Sequence, residues 1–343
     1  MSIKMLIFDY KNAEHKFFKK NKLEDFDITF FEESLNETTV NNLPEEFLSK
    51  TIVISVFITS RINKKVLEKF PNLMILSTRS TGINHINLDD CCNRRIKVLN
   101  VENYGNKSVV QYTFGLIIAL SRKFQTAIND IKAFRFEYNK YVGRELDKLT
   151  LGVIGTGAIG EGVCKIAKAF GMNVLAYDVR HKTNLIENYE VKYTDKETLL
   201  KNADIITLHA PLTEQTREMI TKREFALMKH TAYLINTSRG KLINTEDLYN
   251  AIISENIAGA GLDVIECEDI SFSQNNNLVT KIETSNINCI EKVVLTRKLA
   301  QLDNVIITPH IAYNTQDSID TILKTTFDSI KDCLQGGHTN QIN

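Results

Sequence analysis

The sequence carries no excess of either charge: Lys plus Arg and Asp plus Glu number 42 each, giving a formal net charge of zero. Without a basic field, nothing concentrates the phosphates of nucleic acid or an anionic membrane surface, and neither partner is expected. Long hydrophobic runs are also missing. The longest, Phe114 to Leu120, is far too short to cross a bilayer. Met1 to Asp9 runs directly into a strand-like stretch with no signal-peptide apolar core, which points to a cytoplasmic protein. The six cysteines (Cys91, Cys92, Cys164, Cys267, Cys289 and Cys333) form no C-x-x-C pair and none has a histidine at zinc-finger spacing, so no metal site is expected. Nor are they dense enough for a disulfide scaffold, and free thiols are the expected state. No internal repeat is present.

What is present is an alternation of short β-rich runs and helical stretches, in a chain of 343 residues that suits two hydrophobic cores better than one. Met5–Phe8, Ile28–Phe31, Thr51–Val56, Leu73–Leu76 and Val98–Val101 read as strands, with helices at Asn63–Phe70 and Leu88–Arg95. A second series runs from Leu151–Ile154 through a helix at Ile159–Phe170 to strands at Asn173–Tyr177, Asp204–Leu208, Ala232–Ile235 and Gly259–Leu262, with Glu246–Ser254 helical. This pattern predicts two α/β domains, each a doubly wound parallel sheet of Rossmann-like or flavodoxin-like kind. The strand-like Val305–Thr308 and the helical Ser318–Leu334 follow both series, so the C-terminus is free to return to the first domain. Between the series, Val109–Leu120 is apolar on nearly every face. Such a helix is covered on all sides, which suggests a subunit interface, the alternative being an inter-domain core helix. The polar, Asn-rich stretch Ser271–Asn288 reads as an insertion or flexible loop.

Leu151-Gly-Val-Ile-Gly-Thr-Gly-Ala-Ile-Gly160 places G-x-G-x-x-G at Gly155, Gly157 and Gly160. It follows a strand, opens a helix and precedes a second strand that ends in Asp178, the context that makes the motif diagnostic of a dinucleotide site. Gly155 allows the tight turn, Gly157 admits a pyrophosphate close to the backbone, and Gly160 brings helix and strand together. Free N–H groups near Ala158 and Ile159 then face the phosphates. Asp178 would accept from the adenosine ribose hydroxyls and repel a 2′-phosphate, favouring NAD over NADP, although Arg180 and His181 stand close by.

Three further strand ends carry reactive groups. Asn236-Thr-Ser-Arg-Gly240 presents Arg239, Gly261-Leu-Asp-Val-Ile-Glu-Cys-Glu-Asp269 presents Asp263, Glu266 and Glu268, and Asn304-Val-Ile-Ile-Thr-Pro-His-Ile-Ala-Tyr313 presents His310. A guanidinium can grip a 2-oxo acid's carboxylate with two parallel bonds. An imidazolium can protonate the carbonyl oxygen as hydride arrives, and a neighbouring carboxylate stabilises that imidazolium and fixes its orientation. Taken singly, Arg239 reads equally well as a surface salt bridge, Glu268 as a solvated loop charge and His310 as a capped core histidine. Their joint occurrence behind the glycine motif favours chemistry.

With these residues in view, the chain resembles the D-isomer-specific 2-hydroxyacid dehydrogenases, most closely their D-lactate-forming branch. The likeness runs through Thr78-Arg-Ser-Thr-Gly-Ile-Asn-His-Ile-Asn87, Gly143-Arg-Glu-Leu-Asp147, the glycine motif, Leu208-His-Ala-Pro-Leu-Thr213, Asn236–Gly240, Gly261–Asp263 and Thr308–Tyr313. The resemblance implies that Arg239 binds substrate, that His310 is the proton donor, and that Glu268 rather than Glu266 is its partner. It implies that Asp263 holds the nicotinamide carboxamide, and that Ala210, Pro211, Thr216, Thr237 and Ser238 line the cofactor, with Arg239 close to it. It places Thr81, Gly82, Tyr104 and Tyr313 at the substrate. It also implies a substrate domain of residues 1–102 plus 311–343, an NAD domain of residues 103–310, and a homodimer formed through the NAD domain. The sequence departs from the family at Gln111, where a glutamate is common, and at Asn314, where an aromatic is frequent. Two other functions compete: reduction of a larger 2-oxo acid such as 2-oxoisocaproate, and dinucleotide sensing without catalysis, since fold alone does not fix function.

Overall fold

In the computed structural model, which describes residues 2–21, 23–102, 104–271 and 287–343, the strand-forming runs pair into two sheets whose named strand pairings are all parallel. The chain divides into one unit of Met1–Tyr104 with Asn314–Asn343 and a second of Gly105–Tyr313.

The first unit holds β1 (Ile3–Ile7), β2 (Phe26–Phe30), β3 (Val53–Val56), β4 (Ile75–Thr78) and β5 (Lys97–Leu99) in the order β2-β1-β3-β4-β5. Its central strands are buried on both faces, as in Val53–Val56 and Ile75–Thr78, because parallel strands need crossovers that cover the sheet. One face packs on Leu35, Val66, Phe70 and Cys91. The other is closed by the Gln316–Leu334 helix, which lays Leu323, Phe327, Ile330 and Cys333 on Met5, Ile7, Val53, Ile75 and Leu99. The 3- and 4-residue spacing of that row is the apolar stripe of a surface helix. Beyond it the chain pairs with β5, Ile342 N–H donating to the Val98 carbonyl at 3.0 Å.

The second unit holds β6 (Thr150–Ile154), β7 (Asn173–Tyr177), β8 (Lys192–Tyr193), β9 (Ile205–Leu208), β10 (Tyr233–Asn236), β11 (Gly259–Leu262) and β12 (Val305–Ile307) in the order β12-β11-β10-β9-β6-β7-β8. Strand order reverses between β6 and β9, the topological switch point at which open α/β sheets bind ligands beyond their carboxyl edge.

Three expectations are corrected or left aside. The apolar Asn106–Ser121 helix is no subunit-interface belt: Val110, Phe114, Leu116, Ile117 and Leu120 are buried inside the second unit's own core. Val110 sits beneath Gly162 of the Ala158–Ala169 helix, and Leu116 and Leu120 beneath Gly261 of β11. Sheet and helix both lacking side chains at those points let one unit cover two faces of one helix. Nor are all the cysteines free. Cys267 and Cys289 form a disulfide with their Cα atoms 5.9 Å apart, because the Glu268–Ser271 and Ile287–Leu299 helices bring together residues 22 positions apart in sequence. Residues 272–286 of the expected Ser271–Asn288 loop lie outside the described residues; Ser271 ends one of these helices, and Asn288 lies in the other.

Several helices gave no readable period, among them His15–Lys20, Glu45–Lys50, Thr183–Tyr189 and Lys196–Asn202, each of six or seven residues. Fewer than two turns cannot repeat a stripe. Only a cap signals Lys196–Asn202, where the Asp195 side chain accepts from Thr198 N–H at 2.9 Å.

Phe327 tests the closure of the first unit, since its ring packs against Phe17, Phe18 and Phe26. Phe327→Ala should cost about 3–5 kcal/mol in that unit, read as a lower urea midpoint for the unfolding phase that involves residues 2–104.

Candidate active site

The glycine loop occupies the switch point. Gly155 leaves β6 with φ of +91°, and a side chain there would stand 2.7 Å from the Ala210 nitrogen and the His209 carbonyl carbon. It is required both by conformation and by the close approach of the segment that follows β9. A Cβ on Gly160 would overlap the Gly155 carbonyl oxygen, so strand and helix touch there. Gly157, at the N-cap of Ala158–Ala169, differs: a side chain on it would meet nothing within 4 Å. The open space lies beside the free N–H groups of a helix N-terminus, a setting that suits a pyrophosphate.

Asp178, just past β7, accepts from Thr156 N–H at 2.5 Å, Thr156 hydroxyl at 3.1 Å and Arg180 N–H at 2.9 Å. Partial burial works to raise its pKa, but the donors from Arg180 and Thr156 outweigh that and hold the carboxyl below its ordinary range. It is therefore a fixed anion beside the glycine loop. Around β9, the Ser238 hydroxyl donates to the Ala210 carbonyl at 2.7 Å, Thr216 hydroxyl to the Pro211 carbonyl at 2.6 Å, and Thr237 pairs with Thr113 at 3.0 Å.

The reactive groups stand at the carboxyl ends of β10, β11 and β12, which are neighbours in the sheet. His310 Nδ1 lies 2.8 Å from Glu268 Oε2, and both side chains are 28% exposed. With Glu268 as a carboxylate, Nδ1 carries the shared hydrogen and Nε2 is left for a reacting atom. Glu266 is otherwise engaged. It is buried, accepts from Thr245 hydroxyl at 2.8 Å and pairs with Lys292 Nζ at 2.5 Å. The choice between the two glutamates, open on the residues alone, falls to Glu268 by geometry.

His310 adopts a left-handed backbone, φ +54°, uncommon for a residue with a side chain. Asp263 holds it there. This residue is fully buried; its carboxylate accepts from Thr308 hydroxyl at 2.6 Å, Ile311 N–H at 2.9 Å and Ala312 N–H at 2.8 Å. Its backbone carbonyl accepts from His310 N–H at 2.8 Å. The Asp263 carboxylate thus braces the histidine's loop. The sequence hinted at this only through an acid that ends one strand beside a proline-histidine that ends the next.

Arg239 is half-buried, with Nη1 donating to the Ser238 carbonyl at 2.8 Å and its own carbonyl accepting from Asn236 Nδ2 at 2.9 Å. Gly240, the next residue, packs so tightly on the backbone of Ile265 and Glu266 that a Cβ would collide with both. That contact sets the arginine's loop beside the glutamate's. Sequence reasoning did not single out Gly240, although glycine after a strand-end arginine is the available signal. The Tyr313 ring meets the His310 ring edge-on, centroids 6.4 Å apart. Thr81, Gly82 and Tyr104 belong to the first unit, where Thr81 hydroxyl donates to the Val101 carbonyl at 2.8 Å and the Gly82 carbonyl accepts from Ser80 hydroxyl at 2.7 Å.

Residues 114–312 match the sequence profile described as D-isomer specific 2-hydroxyacid dehydrogenase, NAD binding domain. The chain belongs to the D-isomer-specific 2-hydroxyacid dehydrogenase family. As a member it is an NAD-dependent oxidoreductase. An aromatic 2-oxoacid reductase of Clostridium sporogenes is 36% identical over 292 residues, 84% of this chain and 85% of the relative. A hydroxypyruvate reductase of Thermotoga maritima is 35% identical over 287 residues, 82% of this chain and 86% of the relative. The crystal structure of D-lactate dehydrogenase from Aquifex aeolicus, complexed with NAD and lactic acid, matches with a TM-score of 0.83 at 36% identity, covering 98% of both chains.

Gly157 separates binding from folding. Gly157→Val has room in the protein alone, so its stability should change by less than about 0.5 kcal/mol. NADH affinity, measured by quenching or enhancement of cofactor fluorescence, should fall at least about tenfold, because the side chain fills the pyrophosphate's place.

Proposed function

We propose that this dehydrogenase interconverts pyruvate and D-lactate. The observation that carries the reading is the Glu268–His310 pair at 2.8 Å, on strand ends next to the one that bears Arg239. Bound NADH supplies the hydride. The glycine loop at Gly155, Gly157 and Gly160 would hold its pyrophosphate, and Asp178 would accept from the adenosine ribose. Arg239 clamps the substrate carboxylate through two parallel N–H bonds and draws electron density from the neighbouring carbonyl. His310 passes its Nε2 proton to the carbonyl oxygen in reduction and takes it back in oxidation. Glu268 accepts from Nδ1 throughout, which fixes the ring's tautomer and orientation.

A larger 2-oxo acid is the second reading. Two observations favour it: the likeness to an aromatic 2-oxoacid reductase, and the Tyr313 ring standing edge-on to His310, an apolar wall on which an aromatic or branched chain can pack. Steady-state assays across pyruvate, 2-oxoisocaproate and phenylpyruvate decide between them. The lactate reading requires the highest kcat/KM for pyruvate, and phenylpyruvate above pyruvate would overturn it. In either reading the product is the D-isomer, NADPH serves poorly against Asp178, and His310→Gln lowers kcat by about 10²- to 10⁴-fold. Arg239→Lys should raise KM and lower kcat together, since an ammonium cannot make the paired bonds.

We also propose a homodimer formed through the second unit, on a different surface from the Val109–Leu120 belt. The Phe124–Lys132 helix turns Phe124, Ile128 and Ile131 outward, one apolar row, and Phe134 and Tyr138 beyond it are 87% and 94% exposed. An apolar row aimed at solvent is a surface that needs a partner. A second copy of the chain is the partner that every solution of the protein contains. Light scattering at micromolar concentration should give twice the chain mass, and Ile128→Glu combined with Phe134→Glu should return it to the mass of one chain; a monomeric native chain would refute the proposal.

A further inference from the structure

The disulfide lies one residue from the catalytic pair. Cys267 stands between Glu266, which is buried against Thr245 and Lys292, and Glu268, which holds His310. Cys267 itself has a left-handed backbone, φ +55°, a conformation that is unfavourable for a residue with a side chain and persists only where surroundings impose it. The imposing element is the Ile287–Leu299 helix. Cys289 and Lys292 are three residues apart on it and so share one face. That face grips the glutamate loop twice, by the covalent bond to Cys267 and by the ion pair to Glu266.

Glu268 opens a helix of only four residues, Glu268–Ser271, whose Ile270 and Ser271 N–H groups donate to the Cys267 carbonyl at 3.1 and 3.0 Å. A single turn does not hold its own shape in water, because nucleation is unfavourable. The position of Glu268 therefore depends on what anchors Cys267. The other buried thiols are poor redox candidates: burial pushes Cys91 and Cys164 up to about 12, so little thiolate is available. Cys267 and Cys289 are only half-buried and within reach of a small reagent.

Resting on the dehydrogenase reading above, we propose that Cys267–Cys289 is a reversible thiol–disulfide site that controls the Glu268–His310 pair. Its reaction partner is a dithiol. One thiolate of the dithiol attacks a disulfide sulfur, breaking the Cys267–Cys289 bond and forming a mixed disulfide. The second thiolate then displaces the protein thiolate. The protein gains two electrons and two protons as two thiols, and the dithiol becomes a disulfide. Oxidised, the bond clamps Glu268 against His310 Nδ1. Reduced, the loop keeps the Thr245 and Lys292 contacts of Glu266 and the Ile265 N–H bond to Glu268 at 3.2 Å but loses its covalent tie; Glu268 then no longer stays on the ring, and turnover slows.

The test uses the full chain carrying Cys92→Ser, which removes the exposed free thiol, equilibrated with reduced or oxidised dithiothreitol. Peptide mapping after alkylation should find Cys267 and Cys289 linked in the oxidised sample and labelled in the reduced one; two labelled cysteines in both would overturn the proposal. Loss of an orienting partner should lower kcat at least about tenfold on reduction, with recovery on reoxidation. Cys289→Ser should stay at the reduced level in both buffers. Equal kcat in the two states would overturn the proposal. A second readout needs no turnover: the downfield Nδ1–H proton resonance of His310, identified by its loss in Glu268→Gln, should be present when oxidised and absent when reduced. If no 2-oxo acid is reduced in either state but that resonance still follows the redox state, the dehydrogenase reading falls and the redox coupling stands. If the resonance does not follow it, the coupling falls.

Discussion

Asp263 has no contact with solvent, and its carboxylate accepts from the Thr308 hydroxyl and from the N–H groups of Ile311 and Ala312. A buried polar group in that position is tolerable because donors surround it; stripped of them, it would cost about 1–3 kcal/mol. The donors come from the turn that carries His310, so satisfying one buried carboxyl group and shaping that turn are the same event. The left-handed backbone at His310 is maintained by these bonds. Local strain at His310 is balanced by hydrogen bonds made a residue or two away.

The remaining groups are aligned through backbone rather than through side chains. Gly240 fits against Ile265 and Glu266 where nothing larger would. The arginine's loop and the glutamate's loop are thereby kept in contact, whatever long side chains do. Lys292 and Thr245 add the polar partners that let Glu266 stay buried beside them. Two acids two residues apart thus do different work. One is neutralised inside the unit and anchors the loop, and the other is left with a histidine. Positioning of this kind is what a pre-organised site requires.

Much of this was legible in the sequence. Short β-rich runs announced the strands, the glycine spacing announced the switch-point loop, and Arg239, Glu268 and His310 stood at strand ends that proved to be neighbours. What was not legible depended on tertiary partners. No local signal says that Lys292, distant in sequence, claims Glu266, so only family spacing favoured Glu268. The Asn106–Ser121 helix read as an interface because its composition records that it is covered, not what covers it. The Phe124–Lys132 helix, whose amphipathic face would normally point inward, points outward. The Cys267–Cys289 pair was invisible because pairing follows from the approach of two helices, not from spacing.

The first unit is built from both ends of the chain, whereas the second is a single continuous stretch. During synthesis β1 to β5 leave the ribosome early, yet one face of their sheet stays bare. Met5, Ile7, Val53, Ile75 and Leu99 wait there for the Gln316–Leu334 helix. Residues 105–313 meanwhile have everything needed for their own cores and can complete them as they emerge. An uncovered apolar sheet face is what chaperones recognise, and here it persists for the time taken to translate the entire second unit. The half of the molecule made first is the half finished last.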